Sequence, residues 1–147
     1  MNPKSFRTAF TVSDMDRSIA FYRDLLGFEV LYDAIRTGPA YEQLTGYPDV
    51  KLRIVLMKDA GTEHRLELVQ YLQPPGQARE MANHFVGAAN VCYFVEDIEQ
   101  EYQRLQAHGV RFQSAPVEFI RDGKAIGKCV YLYDPDNITV CLFQSYP

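Results

Sequence analysis

The chain opens on a pattern of apolar and polar residues that predicts a strand followed by a helix. Over residues 6–12, Phe6, Phe10 and Val12 share one parity, the period of two that is typical of a strand with two different faces. Apolar side chains then recur at helical spacing between residues 15 and 26. Ser13 or Asp14 can cap this helix, and a glycine at position 27 suits the left-handed residue beyond its end. Three more strands are predicted, at 29–34, 51–57 and 65–71.

The same β-α-β-β-β pattern is repeated in the second half. Val95 follows Val12 by 83 residues and Gly109 follows Gly27 by 82, which indicates a duplicated unit. The second copy predicts a helix from about Ile98 to Gly109 and strands at 87–95, 110–112, 128–133 and 138–143. The sequence thus predicts one α+β domain over residues 1–147, composed of module 1 (1–72), a Pro-Pro-Gly-containing linker (73–86) and module 2 (87–147).

Strand alternation assigns the side chains of each module to two faces. Under the helices we expect Phe10, Val12, Leu52, Ile54, Leu56, Leu66 and Leu68 in module 1, and Val91, Tyr93, Val95, Val130, Leu132, Val140 and Leu142 in module 2. The opposite face is then expected to carry Arg7, Ala9, Thr11, Arg53, Val55, Met57, Glu67, Val69 and Tyr71, and Asn90, Cys92, Phe94, Cys129, Tyr131, Tyr133, Thr139, Cys141 and Phe143. Polar groups among aromatic side chains predict a ligand cavity on this second face.

Composition narrows the class of protein. Hydrophobic residues are 47% and charged residues 23%, as in an average globular domain. The formal charge of −4 gives no reason to expect nucleic acid as a partner. No apolar run approaches the ~20 residues of a membrane span, and the first residues lack the apolar core of a signal peptide, so we expect no membrane partner and a cytoplasmic location.

The motifs resemble those of the vicinal oxygen chelate superfamily, which includes glyoxalase I, fosfomycin and bleomycin resistance proteins, methylmalonyl-CoA epimerase and extradiol dioxygenases. The resemblance rests on the paired modules, on the run at 12–27, on Leu-Glu-Leu at 66–68 and on Tyr-Asp-Pro-Asp at 133–136. It implies two tandem β-α-β-β-β modules that form a cleft between curved mixed sheets, and a chain that pairs as a homodimer.

The resemblance also identifies where a metal site would lie. Metal-dependent members hold a divalent ion with His on the first strand, Glu on the fourth, His on the fifth and Glu on the eighth. The matching positions here are Arg7, Glu67, Asn90 and Cys141, so Glu67 is the single match. A guanidinium offers only donors and cannot bind a cation. We therefore expect a degenerate metal site and no cofactor, with a divalent metal on displaced ligands as the alternative.

Charge suggests what replaces the metal. Arg7 and Glu67 should face the same cavity from neighbouring strands and form an ion pair. One interpretation is that this pair has a structural role only. As a catalytic pair, Arg7 would anchor a substrate oxygen and Glu67 would act as acid or base. The substrate-binding candidates are Asn90, Cys141, Arg53, Tyr71, Phe94, Tyr131, Tyr133 and Phe143, and Tyr41 and Tyr47 are candidates for a lid over the cavity.

Two residue types give weaker signals. Cys92, Cys129 and Cys141 are predicted to share one face, where packing as small apolar residues is the favoured interpretation and a soft-metal site or reactive thiol is the alternative. The histidines, His64, His84 and His108, are expected to have surface roles.

Together these features predict a small-molecule-binding protein whose ligand is apolar or aromatic and bears oxygen atoms. The preferred function is a metal-independent isomerase, lyase or cyclase. The alternatives are a non-catalytic binding or resistance protein that sequesters a small molecule, and a metal-dependent lyase or dioxygenase with displaced ligands.

Overall fold

The computed structural model describes residues 6–79 and 82–147, which belong to two compact units divided after Arg79. Each unit contains a sheet of mixed strand direction, and the α+β fold predicted from the sequence is confirmed. None of the helices in the described part of the chain is long and apolar enough to cross a membrane.

Unit 1 contains one four-stranded sheet. Its elements are β1 (Arg7–Thr11), α1 (Met15–Ile19), a π-helical segment (Ala20–Leu25), β2 (Phe28–Arg36), α2 (Pro39–Thr45), β3 (Lys51–Asp59) and β4 (Arg65–Gln73). The strand order is β1-β4-β3-β2, with β1 parallel to β4 and the other neighbours antiparallel. The four predicted strands are all present, and the structure adds α2, which the sequence pattern did not predict.

The first helix is fixed at both ends by the predicted residues. The Asp14 side chain accepts a hydrogen bond from Arg17 N at 3.0 Å, which caps the helix. Gly27 follows the π-helical segment with φ +78°, the left-handed conformation that glycine adopts most easily. Gln70 on β4 joins helix to sheet, since its Oε1 accepts from Met15 N at 3.2 Å and its Nε2 donates to Ser13 O at 2.9 Å.

Unit 2 repeats this arrangement with one strand more. Its elements are β5 (Asn90–Phe94), α3 (Ile98–Ala107), β6 (Arg111–Phe112), β7 (Val117–Arg121), β8 (Lys124–Tyr133) and β9 (Thr139–Ser145). The order is β5-β9-β8-β6, with β5 parallel to β9, and β7 pairs with β8. Asp97 caps α3 through Gln100 N at 3.0 Å, and Gln144 Oε1 accepts from Ile98 N at 3.1 Å, the same join that Gln70 makes in unit 1.

The prediction for module 2 missed β7. This strand forms a hairpin with β8 around Asp122 and Gly123, both of which have positive φ (51° and 76°). An Asp-Gly pair between two strand-forming runs is a strong hairpin signal. It extends β8 to Lys124, four residues before the predicted start of that strand.

The predicted faces of β3 are wrong. Val55 lies opposite Leu68 and Met57 opposite Leu66, and all four side chains are fully buried beneath α1. Strand alternation therefore puts Ile54 and Leu56 on the other face, where Leu56 lies opposite Glu67. The error arose because β3 is apolar on both faces, so its leucines and isoleucine gave no information about which face the helix covers.

Candidate functional site

The centre of the candidate site in unit 1 is an ion pair between Arg7 on β1 and Glu67 on β4. Arg7 Nη1 lies 3.0 Å from Glu67 Oε2, and the side chains are 59% and 15% exposed, respectively. The register pairs Ala9 with Glu67, so Arg7 approaches the carboxylate diagonally across the two parallel strands. The largely buried carboxylate of Glu67 thus has a cationic neighbour whose own side chain is mostly exposed.

The face that carries this pair also carries an aromatic side chain, Tyr71. Tyr71 lies on β4 two strand positions beyond Val69, and its ring meets that of Tyr47 edge to face, with centroids 6.0 Å apart. Tyr47 follows α2, which also contains Tyr41. Tyr47 therefore contacts a residue of this face, and its role as a lid residue stays a prediction.

Arg53 is not on this face, contrary to the prediction. It lies opposite Gln70, on the side covered by α1, where its guanidinium donates to Asp33 through Nε and Nη2 and to Asp16 through Nη1, at 2.8–3.0 Å. The hydrogen bonds from Arg53 hold the pKa of Asp33 below its usual range. An arginine with two carboxylate partners is part of the helix-sheet interface, and Arg53 is removed from the set of site candidates.

In unit 2 the second face carries the predicted polar and aromatic residues. Asn90 and Phe94 on β5 lie opposite Thr139 and Phe143 on β9, and the rings of Phe94 and Phe143 meet with centroids 5.6 Å apart. Phe94 is 74% exposed, which leaves an aromatic surface open on this face.

Two tyrosines on β8 complete the unit 2 face. Tyr131 lies opposite Cys141, and burial raises the pKa of its hydroxyl. Tyr133 Oη donates to Gln113 Oε1 at 2.5 Å, and the Arg111 guanidinium lies 5.1 Å from its ring centroid. Tyr133 is therefore held in place by its neighbours.

The three cysteines meet on the same face of unit 2. Cys141 Sγ lies 2.8 Å from Cys92 Sγ and 3.3 Å from Cys129 Sγ. All three are free thiols, with Cys92 exposed and the other two buried.

The side chains at the family's four ligand positions do not fit a divalent metal ion. In unit 1 the carboxylate of Glu67 is paired with the guanidinium of Arg7, which occupies the place of a cation. In unit 2 the matching positions carry the Asn90 amide and the buried Cys141 thiol. Within residues 6–79 and 82–147, no group of three or more His, Cys, Asp or Glu side chains is arranged to hold a metal ion.

Each histidine has a contact within its own unit. His64 Nε2 is 3.0 Å from Thr8 Oγ1, and Thr8 has the opposite parity to Arg7 on β1. His108 Nδ1 is 2.8 Å from Arg104 O at the end of α3, and the ring of His84 packs against Phe85 with centroids 4.5 Å apart.

One aromatic residue of the unit 2 face was missed in the sequence analysis. Phe119 on β7 meets Phe143 with ring centroids 6.1 Å apart and is 46% exposed. The hairpin signal at Asp122 and Gly123 could have found it, because a strand before that turn places Phe119 beside β8.

Comparison with known proteins agrees with this fold. The Glyoxalase/Bleomycin resistance protein/Dioxygenase superfamily model matches residues 5–142. A 2-epi-5-epi-valiolone epimerase from an Actinomyces species is 29% identical over 133 residues, which cover 86% of this chain and 71% of the relative.

Two solved structures show the same fold. A glyoxalase family protein from Bacillus cereus superposes with a TM-score of 0.83 at 23% identity, covering 99% of this chain and 97% of the other. A lactoylglutathione lyase from Agrobacterium tumefaciens superposes with a TM-score of 0.62 at 21% identity, covering 98% and 96%.

Proposed function

The chain belongs to the Glyoxalase/Bleomycin resistance protein/Dioxygenase superfamily, and from this premise we propose that it is a metal-independent enzyme that moves a proton at a carbon next to a carbonyl group. The observation that carries the proposal is the Arg7–Glu67 pair, with 3.0 Å between Nη1 and Oε2. Isomerase is the preferred class, with lyase and cyclase as related outcomes of the same proton transfer.

Glu67 and Arg7 have different roles in this proton transfer. Glu67 removes the proton from the carbon and returns it, using the carboxylate oxygen that Arg7 does not hold. As the proton leaves, negative charge develops on the carbonyl oxygen, and the free N–H groups of Arg7 donate to that oxygen. If the enolate turns over in the site, return of the proton to the other face of the same carbon inverts its configuration. In a hydroxyketone, return of the proton to the former carbonyl carbon, with transfer of the hydroxyl proton to the former carbonyl oxygen, moves the carbonyl.

The epimerase relative supports this class of reaction. An epimerase inverts one stereocentre of its substrate, and removal and return of one proton achieves this. At 29% identity the likeness supports isomerase chemistry in general and does not identify the substrate of this chain.

We propose that the substrate is a small apolar or aromatic molecule with one or two oxygen atoms. In unit 1, Tyr71 offers an aromatic wall on the same sheet face as the ion pair. In unit 2 the same role is proposed for Phe94, Phe143, Tyr131 and Tyr133, with Asn90 and Cys141 as polar contacts. We also propose that the chain forms a homodimer and acts in the cytoplasm.

Solvent deuterium exchange detects this proton transfer even when the product has not been identified. A panel of cyclic and open-chain hydroxyketones is incubated with the protein in heavy water, and deuterium at the carbon next to the carbonyl is followed by NMR. We expect exchange with the native chain and its loss with Glu67→Gln. Arg23→Ala is the matched control, since it removes an arginine that pairs with the adjacent Asp24 at the surface.

Two outcomes would contradict the proposal. Loss of exchange on chelation, restored by one added divalent ion, would favour the metalloenzyme with displaced ligands. If panel members bind but the native chain catalyses no exchange, and Arg7→Ala weakens binding, a sequestering protein is the better explanation.

A further inference from the structure

Three thiols from adjacent strands lie in contact on one face of the unit 2 sheet. Cys92 on β5 and Cys141 on β9 are direct partners in the parallel register, and Cys129 lies on β8, the next strand. The sulfur atoms of Cys92 and Cys141 are 2.8 Å apart, closer than those of Cys129 and Cys141 at 3.3 Å. The cluster is thus a chain of two contacts with Cys141 in the middle.

Packing alone does not explain this cluster. Buried cysteines behave as small apolar residues, which accounts for Cys129 and Cys141 at 7% and 5% exposure. Cys92, however, is exposed, so its thiol gains little from burial. In unit 1 the equivalent register partners are Ala9 and Glu67, and the same parallel strand pair forms there without a thiol.

Cys92 and Cys141, the closer pair of thiols, differ in exposure and in pKa. Cys92 is the thiol that a dissolved oxidant meets first. The hydrogen bond between the two lowers the pKa of Cys92 and raises that of Cys141, whose pKa burial raises further. Cys92 therefore carries more of the reactive thiolate form.

The backbone geometry permits a bond between them. Neighbouring strands lie ~4.8 Å apart, which falls inside the ~4.4–6.8 Å range of Cα separations found for disulfides. Direct partners on adjacent strands can therefore be bridged by side-chain rotation without breaking the sheet.

We propose that Cys92 and Cys141 are a reversible oxidation site that reacts with hydroperoxides. The Cys92 thiolate attacks one peroxide oxygen and the O–O bond breaks, giving a sulfenic acid on Cys92 and hydroxide, which takes the proton of the Cys141 thiol. The Cys141 sulfur then attacks the Cys92 sulfur, the S–O bond breaks, and the oxygen leaves as a second hydroxide, which takes up the proton that the Cys92 thiol released to solvent when its thiolate formed. Two thiols lose two electrons to the peroxide, and a dithiol reductant reverses the change.

Thiol trapping after oxidation tests this proposal on the intact chain. The reduced protein is treated with hydrogen peroxide, unfolded, alkylated with N-ethylmaleimide and weighed by mass spectrometry. We expect the reduced chain to take three alkyl groups and the oxidised chain to take one. Peptide mapping of the native sequence should find a link between Cys92 and Cys141, and dithiothreitol should restore all three alkylations.

Variants separate this pair from the third thiol. Cys92→Ala, at an exposed position, should abolish disulfide formation within the chain, whereas Cys129→Ala should retain it. Three alkylations after peroxide treatment, or a link that includes Cys129 in the native chain, would overturn the proposal. So would stoichiometric binding of Zn²⁺ or Cu⁺ that protects all three thiols and is lost in Cys129→Ala, because the cluster would then be a metal site.

The oxidation site goes beyond the proposed enzyme activity and is tested without it. Because the readout is the number of free thiols, it gives the same answer whether the chain is an enzyme or a binding protein.

Discussion

Removing the Arg7–Glu67 pair should cost far more in catalysis than in stability. The perturbations are Arg7→Met and Glu67→Gln, singly and together, since both keep side-chain size while removing charge. Exposed ion pairs contribute ~0.2–1 kcal/mol, and breaking a buried pair costs ~3–5 kcal/mol. Arg7 is 59% exposed, so solvent screens the pair although Glu67 is only 15% exposed, and the upper part of the exposed range applies. We expect a coupling free energy of about 1 kcal/mol from the double-mutant cycle.

The expected catalytic loss is larger. A positioned acid or base contributes roughly 10²–10⁴-fold, so Glu67→Gln should lower deuterium exchange by at least about 100-fold, equivalent to ~2.7 kcal/mol of transition-state stabilisation. Urea unfolding measures the coupling free energy, and heavy-water exchange at saturating protein measures the catalytic loss. Arg23→Ala should change neither the unfolding free energy nor the exchange rate.

The two readouts together can refute the reasoning. A coupling free energy of about 3 kcal/mol or more would identify the pair as a structural element of the β1–β4 edge. Full exchange activity in a folded Arg7→Met variant would show that the guanidinium does not hold the developing charge.

Three further predictions concern the scaffold. Gly127→Ala should destabilise the chain by ~2 kcal/mol in urea unfolding, because a Cβ there would collide with the backbone oxygen of Gln144, whereas Gly123→Ala, in open space but at φ +76°, should cost about 1 kcal/mol. Arg53 lowers the pKa of Asp33, so their ion pair stabilises the fold above the usual carboxyl pKa of about 4, and this stabilisation is lost as the pH falls below it. The difference in unfolding free energy between the native chain and Arg53→Met should therefore become smaller from pH ~6 to ~3. Light scattering should find a dimer, and a particle of 16.9 kDa would disprove it.

The sequence predicted the order of elements well because the signals were local. Asp14 and Gly27 mark helix ends, Asp14 through its side chain and Gly27 through its backbone, and the structure has both in that role. The hairpin at Asp122 and Gly123 was an equally local signal that the sequence analysis overlooked.

Which face a side chain occupies is harder to predict, because it depends on partners from other elements. Arg53 was assigned to the site face by its alternation with the leucines and isoleucine of β3, but in the structure Asp16 and Asp33 supply its partners under the helix. The second copy shows the same arrangement. Lys128 lies opposite Gln144, as Arg53 lies opposite Gln70. Lys128 Nζ contacts Glu99 on α3 at 2.5 Å. Aligning the copies would have put Arg53 under α1.

The two units agree where helix meets sheet and differ on the opposite face. Gln70 and Gln144 make the same hydrogen bond to a helix N-terminus, and Arg53 and Lys128 make equivalent ion pairs to the first turn. Across the sheet, the position of Glu67 is taken by Cys141 in the second copy. Contacts between helix and sheet stabilise the fold, so they restrict the residues of both copies in the same way. The residues of a face that binds a ligand are restricted by that ligand instead. The difference between the copies is therefore an independent reason to look for function on that face.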